Sequence, residues 1–525
     1  MKAPYLDTLN FDTFAEMLSY RYKNNPDTIA VMYFDGDNKI SVTYKELIGD
    51  AAKLFNYFEE SGISDCNIGI FSENRYEYIP IYLASVFFNV AVPLDKEIDV
   101  ETASRSLDKF DVSVLFYTLR TKDKVLKASE GKNIRLINID DIFSSIKAGE
   151  YDTLDFLKKI ESTSKDKFCV LASTSGTDGD MKGVMLSHYN IMTNVRGTLE
   201  NNVLKNPTLA FLPMNHTYGF NPCMLATLYN GTTLCLNLDL KKLVRDLKEF
   251  NPFFFGAVPM VIEGMYNNIW REARRQKKDK LLQRMINISN FLLKLKIDMR
   301  HLFFGNLLNK NLRLVVNGGA ALNANFVYKF HELGIEILNG YGLTECSPTV
   351  AVSRECENVP QSAGTIMKNI EVKIAEDGEI LVKGPCVMLG YYKDEEATRK
   401  VMTEDGYLRT GDIGYIDDRL IFVTGRKKNL IILGNGKNVS PEFLESKLLE
   451  IPYVKECIVY GKKSESGTDI IAAKIYPDGD ASSLKEDIDK LNVNLASYMR
   501  IDDYEILTEE FEKTSTKKIK RSAYV

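Results

Sequence analysis

Between residues 67 and 338, short apolar runs rich in Val, Ile, Leu and Phe alternate with longer amphipathic segments. The runs fall at 67–71, 112–117, 168–172, 208–212, 233–236, 253–258, 312–316 and 336–338. They are continuous, without an apolar–polar alternation, which is the pattern of strands buried on both faces. With helical segments between them, they predict parallel α/β sheets. The most apolar long stretch, 78–94, contains Pro80, Asn89 and Pro93. It falls short of the ~20 apolar residues of a spanning helix and predicts a buried helix running into a buried strand.

After residue 362 the texture changes. Short strands at 372–374, 379–383, 415–416 and 420–423 are punctuated by Asp377-Gly378 and Asp417-Asp418, which are hairpin signals. From Gly425 the pattern is mixed: a helix over 441–450, strands at 458–460 and 470–475, a polar helix over 483–499, then a basic tail. The predicted fold is therefore a large N-terminal α/β domain, 1–424, followed by a small α+β C-terminal domain, 425–525, on a hinge. The N-terminal domain would hold two parallel-type sheets with helices and a small antiparallel β subdomain at about 363–424. The segment 260–307 is helical in pattern and carries Arg271, Arg274, Arg275, Lys277, Lys278 and Lys280 close together. This run reads either as a solvated helix face or as a patch for a phosphorylated cofactor, an acidic carrier or anionic lipid. Its apolar residues Ile286, Phe291, Leu292, Leu295, Met299, Phe303 and Phe304 either pack on the body or wall an acyl tunnel.

With 45% hydrophobic and 26% charged residues over 525 positions, the chain is globular and not disordered. A net charge of −5 gives no global reason to bind nucleic acid. The first residues lack the apolar core of a signal peptide, and the eight cysteines form no C-x-x-C pair. Free thiols in a reducing cytoplasm are expected.

Candidate chemistry begins at Ser173-Thr174-Ser175-Gly176-Thr177-Asp178-Gly179-Asp180-Met181-Lys182-Gly183, between the strand at 168–172 and a helix expected near Ser187. Glycines let backbone N–H groups approach an anion, hydroxyls add donors and lysine adds a mobile charge. The spacing is not that of the G-x-x-x-x-G-K-[ST] loop. Further along stand Leu212-Pro213-Met214-Asn215-His216-Thr217-Tyr218-Gly219, Asn317-Gly318-Gly319-Ala320, Asn339-Gly340-Tyr341-Gly342-Leu343-Thr344-Glu345, Gly406-Tyr407-Leu408-Arg409-Thr410-Gly411-Asp412, Gly425-Arg426-Lys427-Lys428-Asn429 and Lys513-Thr514-Ser515-Thr516-Lys517-Lys518-Ile519-Lys520-Arg521.

In this order and spacing the segments resemble the core motifs of the acyl-adenylate-forming (AMP-binding) superfamily. The long insertion and the Arg426–Ile432 stretch look most like bacterial long-chain fatty acyl-CoA synthetases. The phosphate loop of that family reads T-S-G-T-T-G-x-P-K-G; here Asp178 replaces a threonine and Met181 the proline, while Glu512 and Lys517 depart from the tail motif. The resemblance implies ATP-dependent activation of a carboxylic acid through an acyl-adenylate, with transfer to a thiol. That thiol is coenzyme A or, as the alternative, the phosphopantetheine of a separate acyl carrier protein; a non-catalytic nucleotide- or acyl-binding protein is a further alternative. Mg²⁺ would be held through Glu345. Thr174, Ser175, Gly176, Thr177, Gly179 and Lys182 would cradle phosphates. Gly318, Gly319 and Ala320 would line both the adenine and acyl pockets; Tyr341, in the turn Asn339-Gly340-Tyr341-Gly342, would stack on adenine, and the Thr344 hydroxyl would contact phosphate. Asp412 and Arg426 would hold the ribose, Lys428 would mark the hinge, and Lys518, Thr344 and His216 would serve the reaction. The implied acid is a fatty acid; peripheral membrane contact is compatible with it, and no transmembrane segment is expected.

Overall fold

The computed structural model describes residues 4–146, 152–175, 181–305, 307–434, 437–464, 469–513 and 519–525. The chain divides into two compact units, Met1–Val372 with Val382–Leu408, and Lys373–Leu381 with Arg409–Val525. This division groups the hairpin of strands Leu408–Asp417 and Leu420–Arg426 with the C-terminal segment. The change of sequence pattern puts a domain boundary at 424/425; by packing, residues 373–381 and 409–424 group with the C-terminal segment.

The first unit contains two mixed sheets. In one, strands Ile29–Asp35, Leu234–Leu236, Thr208–Ala210, Phe254–Ala257, Leu314–Asn317 and Glu336–Gly342 lie side by side and parallel. Antiparallel strands Asn38–Thr43 and Thr349–Val352 flank this row. In the other sheet, Asn67–Phe71, Val90–Pro93, Val112–Tyr117, Arg135–Asn138 and Phe168–Ser175 are parallel, and Met181–Ser187 and Gly390–Tyr391 extend it antiparallel. The sheet centres are parallel as expected; Asn38–Thr43, Thr349–Val352 and Met181–Ser187 are antiparallel to the strand just before them in the chain, a pairing that needs no crossover helix.

Helix Tyr78–Phe88 is buried at every position from Tyr78 to Phe87 and leads into Val90–Pro93. A helix that is apolar all round has no solvent face, so it packs between layers. Met181–Ser187 corrects the expected loop-into-helix reading. Lys182 and Gly183 stand on a strand that pairs Thr174 with Lys182 and Ser175 with Met181. The helix follows at His188–Asn201, closed by a capping box between Ser187 and Asn190.

In the second unit, Glu379–Lys383 neighbours Leu408–Asp417, which pairs antiparallel with Leu420–Arg426. A three-stranded sheet of Val454–Lys463, Asp469–Pro477 and Asp503–Ile506 packs helices Pro441–Leu448 and Leu484–Val493 around Leu444, Leu448, Val459, Ile471, Ile475 and Ile488.

Candidate active site

In the first unit, the glycine motifs fall at the carboxyl ends of parallel strands, where ligands of α/β sheets bind. Strand Leu314–Asn317 ends at Gly318, whose N–H donates to Ala257 O at 3.0 Å. Gly318 lies under the Tyr218 ring: a Cβ there would stand 2.5 Å from Tyr218 Cζ. Tyr218 Oη sits 2.8 Å from Val316 O and 3.2 Å from Ala257 O, so the phenol ties two strand ends together. Burial pushes this tyrosine far above its ordinary pKa and keeps it a donor. Gly319, at φ +80°, and Ala320 are exposed beyond it.

Asn339 does not reach outward. Its amide donates to Pro360 O and Ser362 O, each at 3.0 Å, and its Oδ1 accepts from Asn317 Nδ2 at 3.2 Å. It is a brace for the glycine turn. Asn317 Oδ1, by contrast, is buried with no donor among the described residues, as Asn215 Nδ2 is buried with no acceptor. An unmet buried acceptor beside Gly318–Ala320 fits a ligand that brings an amino donor, as adenine does. Tyr341 sits between Gly340 and Gly342 on strand Glu336–Gly342 and is half-buried. Gly342 is required by close approach: a Cβ would meet Pro348 O at 1.9 Å.

Two segments far apart in sequence meet at Thr344. Its Oγ1 lies 3.5 Å from Thr217 Oγ1, next to His216. A cavity of about 10 Å³ lies against His216, lined also by Tyr82, Val170 and Phe220; it has room for about one water. Residues Gly219–Leu225 beyond it form a π-helical turn, a distortion common at functional sites.

Glu345 Oε1 accepts a 2.8 Å hydrogen bond from Tyr391 Oη, and the Lys182 ammonium stands 4.8 Å from the centre of the Tyr391 ring. Burial, reinforced by Glu345, raises the Tyr391 pKa far above the ordinary tyrosine range, so it donates at any working pH. The structure thus joins Lys182 to Glu345 through Tyr391, a residue the sequence reading did not single out. Among the described residues no group of three or more His, Cys, Asp or Glu side chains could cage a metal ion. A lone carboxylate suits Mg²⁺ held mainly by phosphate oxygens and water.

In the second unit, Asp412 and Arg426 face each other across the hairpin, with Arg426 Nε 2.7 Å from Asp412 Oδ1. Asp412 is buried; Arg426 is exposed. Lys427 pairs with Asp377 at 2.6 Å and Glu379 at 2.9 Å, and Lys428 is exposed on the turn Lys427–Asn429. Gly176, Thr177, Gly179 and Lys518 lie outside the described residues, as does the side chain of Ser175. Thr174 is half-buried on its strand.

Glycine-lined ends of parallel strands, with hydroxyls, a lysine and a carboxylate gathered there, define an α/β enzyme site for a phosphorylated ligand. The sequence profile of the AMP-binding enzyme family matches residues 18–392, and that of the AMP-binding enzyme C-terminal domain matches 444–518. The chain belongs to the AMP-binding enzyme family, as its motifs suggested. It is 28% identical to long-chain-fatty-acid–CoA ligase FadD15 of Mycobacterium tuberculosis over 83% of this chain and 80% of that protein. It is 26% identical to long-chain-fatty-acid–CoA ligase 5 of Rattus norvegicus over 81% and 70%. Among solved structures, it is similar to o-succinylbenzoate CoA synthetase from Bacillus subtilis in complex with its acyl-adenylate intermediate, with a TM-score of 0.77, 21% identity, and 96% and 97% of the two chains covered. It is similar also to a Mycobacterium tuberculosis fatty acyl CoA synthetase, with a TM-score of 0.70, 21% identity, and 98% and 97% covered. The expected fold class is borne out by these likenesses. No helix among the described residues is long and apolar enough to cross a membrane.

Proposed function

We propose that this chain is an ATP-dependent acid–thiol ligase that converts a fatty acid to its coenzyme A thioester through an acyl-adenylate. The observation that carries the reading is the Lys182–Tyr391–Glu345 chain of contacts beside Thr344 and the Gly318–Ala320 turn. A cation suited to phosphate, a carboxylate suited to a metal and a glycine-cleared surface suited to a base stand in one unit, which supports the reading. The names of the relatives supply the fatty acid and coenzyme A.

The reaction brings two anions together, so its catalysis is positioning and charge neutralisation. A carboxylate oxygen of the acid attacks the α-phosphorus of ATP, and pyrophosphate leaves with the electron pair of the broken bond. The thiol then loses its proton, its sulfur attacks the acyl carbonyl, and AMP leaves. Lys182, with Thr174, Ser175, Gly176, Thr177 and Gly179, holds the outer phosphates. Glu345, oriented by Tyr391, is the residue that would hold Mg²⁺, which when bound would supply positive charge beside the phosphates. Tyr341 stacks on adenine, and Asp412 with Arg426 binds the ribose diol. Lys518 neutralises the approaching carboxylate and α-phosphate in the first step only. Lys428 marks the rotation of residues 425–525 between the half-reactions, and His216 flanks the path to the acyl group. Eight free cysteines fit a reducing, cytoplasmic setting.

The test is ATP–pyrophosphate exchange with straight-chain acids from acetate to palmitate, followed by addition of coenzyme A or a holo-carrier protein. Each buried methylene contributes about 0.8 kcal/mol, so four give on the order of a hundredfold in kcat/KM. A profile that peaks at acetate or at an aromatic acid removes the fatty-acid reading. Product formation only with the carrier removes coenzyme A as the acceptor.

A further inference from the structure

The segment that follows strand Phe254–Ala257 carries a surface unlike the rest of the chain. It contains helices Pro259–Arg275, Asp279–Lys294 and Arg300–Phe304. Residues 260–307 hold ten Lys and Arg against four Asp and Glu, a net charge of +6 in a chain whose total is −5, so the remainder carries −11. Arg271, Arg274, Arg275, Lys277, Lys278 and Lys280 are all exposed at the turn between the first two helices.

The second helix has two apolar stripes. Leu282 and Ile286, with Ser289, form its buried side, and Leu282 and Ile286 pack against Ile269, Phe304 and Leu333. At about 100° per residue, Leu281, Ile288, Phe291 and Leu295 fall within an arc of about 80°, centred about 150° from that buried side. Each is more than half exposed, at 53%, 53%, 63% and 56%. Arg284 projects from the same arc by this spacing and is exposed. An ordinary surface helix buries its apolar stripe and turns charge outward; this one keeps a second stripe in water, with Arg284 among its residues. Several large apolar side chains on one exposed face mark a contact surface. The sequence had offered Phe291 and Leu295 as walls of a tunnel or as packing on the body. They do neither, because the buried side of the helix is taken up by Leu282 and Ile286.

We propose that this face docks the enzyme on an anionic lipid bilayer, the stripe entering the headgroup–acyl boundary and the basic turn lying on the lipid phosphates. A large apolar face with cations beside it is the composition of a helix that lies in the membrane interface. The same charge argues against a second copy of this chain as the occupant, since two +6 surfaces would be pressed together. An acidic protein would answer the cations but would need an apolar face of its own to cover the stripe. The first helix starts at Pro259, next to the strand end that borders Gly318 and Tyr218, and runs 17 residues, or about 25 Å, to the basic turn. The basic turn therefore lies about one helix length along the chain from the glycine-lined strand ends.

The test uses the full chain and sedimentation with sucrose-loaded vesicles of phosphatidylcholine, alone or with one third phosphatidylglycerol. Wild type is expected to sediment with the anionic vesicles at low salt, at least tenfold more tightly than with the neutral ones, and to lose this preference at high salt. Each cation near such a surface is worth about fivefold, so R274Q/R275Q/K277Q/K278Q together should weaken anionic binding more than tenfold. I288Q/F291Q/L295Q should weaken binding more than tenfold with the charges intact. These side chains are exposed, so both variants should keep the wild-type melting temperature and the wild-type rate on a short, water-soluble acid without vesicles. Equal binding to both vesicles, no binding at low salt, or wild-type binding by I288Q/F291Q/L295Q overturns the proposal. Self-association abolished by the same variant, or capture of an acidic protein without vesicle binding, assigns the face to that partner and overturns it too.

Discussion

Replacing Tyr391 by phenylalanine removes one oxygen atom and keeps the ring beneath Lys182. The lost bond is the 2.8 Å contact to Glu345 Oε1. Tyr391 is only 7% exposed, so solvent replaces the hydroxyl poorly. A hydrogen bond to a charged group is worth about 1.5–3 kcal/mol, a factor of roughly 10 to 150. In the proposed reaction, Glu345 acts with Mg²⁺ in adenylation and has no part in thiol transfer. The expected outcome is a rise of about tenfold or more in the Mg²⁺ concentration that half-saturates ATP–pyrophosphate exchange. Transfer from synthetic acyl-adenylate to coenzyme A should stay within twofold of wild type. The exchange assay is run across a Mg²⁺ series at saturating ATP and acid, with single-turnover transfer and Mg²⁺-dependent ATP binding measured alongside. A superimposable Mg²⁺ curve would refute the role given to Tyr391, and so would equal loss in both half-reactions, which is the mark of general damage.

Lys518→Ala should lower acyl-adenylate formation by about two orders of magnitude or more while preformed acyl-adenylate is still consumed, because a cation between two anions matters only as they approach; equal loss of both half-reactions contradicts this. Lys428→Pro should impair thioester formation far more than pyrophosphate exchange, since proline fixes φ at the proposed rotation point; a matching fall in exchange contradicts it. His188 is buried, with Nε2 2.9 Å from Val86 O and Nδ1 accepting from the Phe14 N–H at 3.4 Å, and burial lowers its pKa from 6.5 to about 4. The unfolded chain takes up this proton below about pH 6.5 and the folded chain only near 4, so stability is intact above 6.5 and falls by up to about 3 kcal/mol as pH drops to 4. Urea midpoints measured over that range should slope for wild type and flatten for His188→Gln.

The buried elements were readable because their environment leaves one solution. Strands Asn67–Phe71 and Val112–Tyr117 have the bounds their apolar runs predict, and the apolar stretch 78–94 could only be an inner helix and strand. Strand Met181–Ser187 was hidden because Lys182-Gly183 looks like loop chemistry, and its strand identity comes from pairing with Phe168–Ser175. Contacts across long separations were equally hidden. Thr217 and Thr344 are 127 positions apart, and Glu345 and Tyr391 are 46 apart; no local pattern records either meeting. Asn339 looked like a ligand contact because it lies in a glycine motif, yet its amide braces Pro360 and Ser362. In helix Asp279–Lys294, Ile286 and Phe291 belong to one set of apolar positions in the sequence, and only packing shows that Ile286 is covered and Phe291 is not.

The acyl-adenylate itself is the central claim, and the path of one oxygen atom tests it. Palmitate labelled with ¹⁸O in both carboxylate positions is incubated with ATP, Mg²⁺, coenzyme A and the enzyme, and the products are read by mass spectrometry. Attack of the carboxylate on the α-phosphorus, followed by thiol attack on the carbonyl, leaves one ¹⁸O in the phosphate of AMP and none in pyrophosphate. Label in pyrophosphate or inorganic phosphate, formation of ADP, or unlabelled AMP alongside acyl-CoA would contradict the account.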